Sequence, residues 1–233
     1  MLVLALIVAG LVVGIVLAVI VVLVMDPSAL ARPAYGRPGL DGVTAIIASS
    51  AIEIPAIVAV LLALPRASGL SFRELGFVAP DLRAIGIALA AVVVAVIVVN
   101  VGAALVSGIT HTGTHDQATE RLFLGLHAPW KIAIFAFFAA VFAPIAEETV
   151  FRAFAFNAAR RYGGFWIGAV VSSILFGLAH GDLYNALPLA LVGMVLCGVY
   201  YSTRNVVASM LAHGTFNLLT LVALVFFPKL AGG

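Results

Sequence analysis

Charge is what this chain has least of. Only 9% of its 233 residues are Asp, Glu, Lys or Arg, while 64% are hydrophobic. A soluble domain carries roughly 25% charged and about 45–50% apolar residues, so composition places the chain in a membrane before any motif is read. The few charges nearly balance, 12 basic against 10 acidic, for a formal net of +2. That surplus is too small to argue for nucleic acid or for a strongly anionic partner. Cysteine is almost absent. Cys197 stands alone in an apolar run, which excludes an intramolecular disulfide and reads as a small packing residue. No Cys/His cluster offers a structural zinc site. Residues 1–25 carry no charge at all. A cleaved signal peptide needs a basic start and an apolar core of about 7–15 residues. This segment lacks the first and exceeds the second, so it is expected to be a retained first span.

Long apolar runs are what the chain has most of. They cover residues 2–25, 43–64, 84–108, 130–159, 164–180, 184–202 and 205–227. Crossing a bilayer takes about 20 apolar residues, and a backbone in lipid must satisfy its own polar groups, so helices are the default. The expected fold is an all-α polytopic transmembrane bundle of about seven spans. Turn-forming stretches separate the runs: DPSALARPAYGRPGLDG, PRASGLSFRELGFVAPD and RRYGG. The fourth run is long for one crossing and contains Pro144. Proline removes a backbone donor and crowds the preceding turn, so a kink or break near 140–144 is expected, and a full break would make eight spans. Basic residues divide almost evenly between the two faces, with a slight lean towards a cytoplasmic N-terminus and a cytoplasmic RRYGG loop.

Against this apolar background stands AVFAPIAEETVFRAFAF, which puts Glu147, Glu148 and Arg152 inside a span. An unpaired charge near the bilayer centre costs from ~2.5 to above ~10 kcal/mol, so such residues are rare and usually functional. Glu148 and Arg152 are four apart with the acid first, the better order for a helical ion pair. Glu147 lies about 100° round the helix from Glu148 and has no local cation, as suits a free acid–base group. His213 and Asn217 are also four apart, so they project from one helix face. Histidine donates or accepts a proton and asparagine offers two N–H donors, a pair able to hold a developing oxyanion. His180 follows Phe176 by one turn at the end of the fifth run and is expected to reach a water shared with Glu147. Glu53, in the second run beside Pro55, has no local partner and is expected either to line a cavity or to meet a distant cation. His111, His115 and His127 read as loop residues, and Trp130 and Trp166 as interfacial anchors.

Three motifs in order, EETVFR, FGLAH and HGTFN, resemble the Glu-Glu-x-x-x-Arg, Phe-x-x-x-His and His-x-x-x-Asn signatures of the CPBP family of intramembrane endopeptidases. That family includes CAAX prenyl endopeptidases and the bacteriocin-processing or self-immunity (Abi) group. The resemblance covers about residues 120–227, and FRELGF looks like a loop of bacterial members. Ala153 departs from the glycine common after the arginine, but a small residue is kept. The resemblance implies a glutamate-dependent protease of the bacterial cell membrane. Glu147 and His180 would activate water, and His213 and Asn217 would stabilise the oxyanion. Glu148, Arg152 and Phe176 would support them. It divides the chain into N-terminal transmembrane helices and loops, 1–118, and a CPBP-type catalytic core, 119–233. No metal or other cofactor is expected, because the two closely spaced histidines of H-E-x-x-H are missing. The expected partners are a peptide or membrane-protein substrate and the lipid bilayer, with no nucleic acid. Two other classes stay open: a catalytically silent immunity or membrane-assembly factor, and a small proton-coupled transporter using Glu147 and Glu148. The second usually shows repeated halves, and no repeat is visible here.

Overall fold

The computed structural model describes residues 2–28, 42–111 and 118–227. The expected loop after the first span, His115 and Lys229 lie mostly or wholly outside the described residues. Every regular element described is helical. α1 (Leu2–Met25) is followed by α2 (Gly42–Ser68), α3 (Leu82–Thr110) and the short α4 (Ala118–Leu124). A winding run then joins α5 (Pro129–Phe137), α6 (Ala143–Glu148) and α7 (Asn157–Ala179) through π-helical turns at Phe138–Phe142 and Thr149–Phe156. α8 (Leu183–Thr203) and α9 (Val206–Phe226) complete the bundle.

Six of these helical stretches are long and apolar enough to cross a membrane. One of them, Pro129–Ala179, has 51 residues, about 75 Å at 1.5 Å per residue and far more than a ~30 Å hydrocarbon core. It does not run straight. Gly163 (φ −170°, ψ 31°) and Gly164 (φ 69°, ψ −157°) leave helical geometry, and Gly164 takes a left-handed value that suits a residue without Cβ. Beyond them the chain reverses. Ser172 Oγ donates to the Phe151 carbonyl at 2.7 Å, although a straight helix would put residues 21 apart about 30 Å from each other. The RRYGG turn thus divides the run into two limbs, and with them the described chain has seven apolar limbs, as the spacing predicts.

Of the kink or break expected near 140–144, the full break does not occur. The helix continues through Pro144 by widening: Ala143 N–H reaches back five residues to the Phe138 carbonyl, a π-type bond. A π-turn ahead of the proline accommodates the missing donor without ending the helix, so the eighth span disappears.

Burial is inverted relative to a soluble protein. Val12, Ile15, Val93 and Ile97 are about half exposed, while Glu148, Arg152, Ser172 and Ser209 are fully buried. Apolar side chains facing lipid around a polar interior are what a membrane bundle requires. Small residues bring the helices together: α3, α8 and α9 share a core of Ala84, Ala88, Val92, Val192, Leu196 and Ala208, as expected where packing rather than the hydrophobic effect drives association.

The connection between α2 and α3 fixes the start of α9. Val206 N–H donates to Gly76 O at 2.9 Å, and Asn205 Nδ2 donates to Val78 O at 3.1 Å. Gly76 has φ 93°, and a Cβ there would lie 2.9 Å from Arg204 O and Val206 N, so only glycine fits. Tyr200 donates to Leu75 O at 3.1 Å and accepts from Asn157 Nδ2 at 2.7 Å. Within the same connection, hydrogen bonds from the Ser71 backbone and hydroxyl hold the Glu74 carboxyl below its ordinary range. Asn205 also caps α9 by accepting from Ala208 N–H at 2.9 Å. α9 carries Ser209, His213 and Asn217 at successive four-residue steps on one face, so fixing its start fixes all three.

Candidate active site

The site is assembled around one buried carboxylate. Glu148, wholly inaccessible, has Arg152 Nη1 at 2.8 Å one turn on. The contact is an ion pair rather than an aligned hydrogen bond, since Arg152 Nη1 and Nε have no acceptor in line. Arg152 Nη2 donates to Gly193 O at 3.2 Å, and its guanidinium lies over the Phe176 ring, 4.6 Å from the centroid. The other partners of Glu148 come from α9: Ser209 Oγ at 2.5 Å from Oε2 and His213 Nδ1 at 3.0 Å from Oε1. One carboxylate therefore ties the EETVFR segment to α9.

This contact orients His213. With Arg152 and the Ser209 hydroxyl beside it, we assign Glu148 as ionised and therefore acceptor-only, so Nδ1 carries the proton. Nε2 then faces Glu147, 3.9 Å from its Oε2. His180 is set differently. Its Nδ1 lies 2.9 Å from the Phe176 carbonyl, which can only accept, so in the neutral ring the lone pair is on Nε2. Phe176 is the hub between them, with its ring 5.0 Å from that of His180 and 5.5 Å from that of His213.

Asn217 has a partner the sequence did not suggest. Its Nδ2 donates to the Ala139 carbonyl at 2.8 Å. Ala143 N–H has turned to Phe138 and Pro144 has no N–H, so neither usual donor serves Ala139. The asparagine amide replaces them. Gly214 on the same helix permits the approach, because a Cβ there would collide with the Ala140 carbonyl. One N–H of the Asn217 amide is left over.

Glu147, His180, His213 and Asn217 all line one cavity of about 550 Å³. Glu147 is the exposed member of the acid pair, with 21% of its side chain accessible against none for Glu148. Two further residues matter that motif reading passed over or left open. Ser209 belongs to the Glu148 cluster, and its position four residues before His213 was the available signal. Glu53, from α2, lines the same cavity. At the foot of His180, Asp182 caps α8: hydrogen bonds from the Asn185 side chain and then the Tyr184 backbone hold its carboxyl below the ordinary range. Among the described residues no three His, Cys, Asp or Glu side chains converge to hold a metal.

Comparison with known proteins now bears on this geometry. Residues 129–219 match the profile of the type II CAAX prenyl endopeptidase Rce1-like family. Residues 129–219 are thus similar to an Rce1-like domain. That domain starts at α5 and ends just past Asn217, so it contains every residue of the Glu148 cluster, and it is the family that the three ordered motifs resemble. The chain is 24% identical over 110 residues to YdiL of Bacillus subtilis (strain 168), a candidate membrane peptidase by its name, covering 47% of this chain and 44% of that one. It is 30% identical over 118 residues to the membrane-embedded CAAX protease MroQ of Staphylococcus aureus (strain USA300), covering 48% and 46%. The chain thus aligns with just under half the length of either relative. No solved structure matches. The match over 129–219 and the apolar helices together mark a polytopic integral membrane protein, and both relatives are bacterial.

Proposed function

We propose that this protein is an intramembrane endopeptidase that hydrolyses a peptide or membrane-associated protein substrate with Glu147 as the water-activating base and without a metal. The observation that carries the reading is the pair of acids with opposite surroundings, Glu148 sealed by Arg152, Ser209 and His213, and Glu147 open to a cavity shared with both histidines. Adjacent carboxylates in different environments suit different tasks.

In this reading Glu147, helped by the Nε2 lone pair of His180, takes a proton from a water in the cavity. The water oxygen bonds to the scissile carbonyl carbon, and the carbonyl π pair moves onto oxygen. His213, acting as a donor through Nε2, and the spare N–H of Asn217 donate to that oxyanion. On collapse the C–N bond breaks, and the proton held by Glu147 passes to the leaving nitrogen. Glu148 holds His213 in orientation and stays ionised throughout. Residues 119–233 act as the catalytic core, and of the N-terminal part, 1–118, α1 and α2 wall the cavity.

The test is incubation of purified protein, in detergent and in liposomes, with a peptide library read by mass spectrometry. New termini formed by the native protein and absent with Glu147→Gln support the reading. A library left intact by folded native protein in both settings refutes it.

A further inference from the structure

One wall of the cavity is α2, whose residues Ile46, Ser49, Glu53 and Ile57 share one face and line the space. Glu53 is the one charged group on that wall. A carboxylate within a membrane helix costs a few kcal/mol unless a partner offsets it, and among the described residues none donates to Glu53 Oε2, which is sealed from the surface. No described residue lining the cavity is Lys or Arg. Arg152, the buried cation nearest in kind, is engaged by Glu148, Gly193 and Phe176. Glu147 lines the same space, and its own Oε2 also lacks a donor. Two acids that each hold an oxygen without a donor therefore line one cavity.

We infer that Glu53 is a specificity residue that receives a cationic group of the substrate, the ammonium of a lysine or the guanidinium of an arginine near the scissile bond. The inference rests on the endopeptidase reading for its meaning. The physical argument is that a cation brings several N–H donors at once and supplies the missing hydrogen bond. The neighbours of Glu53 on its own wall, Ile46, Ile52 and Ile57, suit the aliphatic stem of such a side chain. An aliphatic side chain in the same place leaves the carboxylate unpartnered, and a neutral N–H donor supplies a hydrogen bond without the charge.

The experiment compares N-acetylated peptides that differ at one position only, Lys or Arg against norleucine or citrulline, scanned through the residues flanking each cleavage site. The expected result is a preference for the cation of roughly ten- to a hundredfold in kcat/KM at one position, the range of a charged hydrogen bond. In Glu53→Gln that ratio falls close to one. Because the reading is a ratio within one protein, a change in overall activity does not obscure it. Free-amine versions of the same peptides separate an α-ammonium from a side chain, and Glu53-dependent preference for either supports a cation subsite. Binding of the same peptides by fluorescence anisotropy needs no turnover. Glu53-dependent binding of cationic peptides without cleavage would leave the subsite standing and remove the endopeptidase reading. Cleavage with no cation preference, or with a preference that Glu53→Gln retains, would overturn the subsite and leave the endopeptidase reading intact.

Discussion

Removing Glu148 should harm the fold far more than removing its neighbour Glu147. The Glu148 carboxylate is wholly buried and holds three groups: Arg152 at 2.8 Å, Ser209 at 2.5 Å and His213 at 3.0 Å. In Glu148→Ala the Arg152 guanidinium stays fully buried, keeping only the Gly193 carbonyl and the Phe176 face. Breaking one side of a buried pair costs about 3–5 kcal/mol, or roughly two to nearly four decades in the folded fraction at 1.4 kcal/mol per decade. Glu147→Ala removes a carboxylate whose Oε2 has no hydrogen bond, so its effect on stability should be near zero or slightly favourable. The assay is equilibrium unfolding in mixed micelles with increasing SDS, run on both single variants. A third variant, Glu148→Leu with Arg152→Met, isolates the cause. Replacing a whole buried pair by apolar side chains is often neutral, so the double variant should recover most of the stability lost by Glu148→Leu alone. Equal stabilities for Glu148→Ala and Glu147→Ala would refute the reasoning, as would a double variant no more stable than Glu148→Leu.

Further outcomes follow from the same contacts. Asn217→Ala should cost about 1–3 kcal/mol, the range for an orphaned buried carbonyl, and the cost should shrink when Pro144→Ala restores a backbone N–H near Ala139; a double-mutant cycle in the SDS assay reads the coupling. Asp182→Ala should cost about 1 kcal/mol through its lost cap. Because the folded Asp182 carboxyl lies below its ordinary value, its contribution is complete above the unfolded value and is lost as pH falls through the lower folded one, so hydrogen exchange at the start of α8 should quicken only on acidification. Elemental analysis of dialysed protein should find no stoichiometric zinc, and a chelator should leave cleavage unchanged; activity lost to chelation and restored by zinc would make Glu147 and the histidines ligands instead.

Much of the fold was legible because membrane helices announce themselves by length and apolarity, and the turn at RRYGG by its two glycines. Pro144 misled because the sequence shows the missing donor but not the remedy: a π-turn and a side chain 78 residues away are tertiary facts. In the site, the Glu148–Arg152 pair was readable from its four-residue spacing, since both groups lie on one helix. His213 as a partner of Glu148 was not, because motif order carries no distance between segments. Ser209 could have been found on the face shared with His213 and Asn217. Glu53 offered only a carboxylate in an apolar run, and its wall of the cavity depends on how α2 packs across from the EETVFR segment.

The central claim is that Glu147 activates the water that cleaves the substrate. Its most direct test is cleavage of the best library peptide in H₂¹⁸O by native protein and by Glu147→Gln, with folding of the variant checked by SDS unfolding. One ¹⁸O in the new carboxylate from the native protein, and at least a hundredfold slower cleavage by a variant that unfolds at the same SDS concentration, is the predicted result; a loss of two decades or more is what a general base supplies, on the order of 10²–10⁴-fold. Cleavage by Glu147→Gln at the native rate would contradict it.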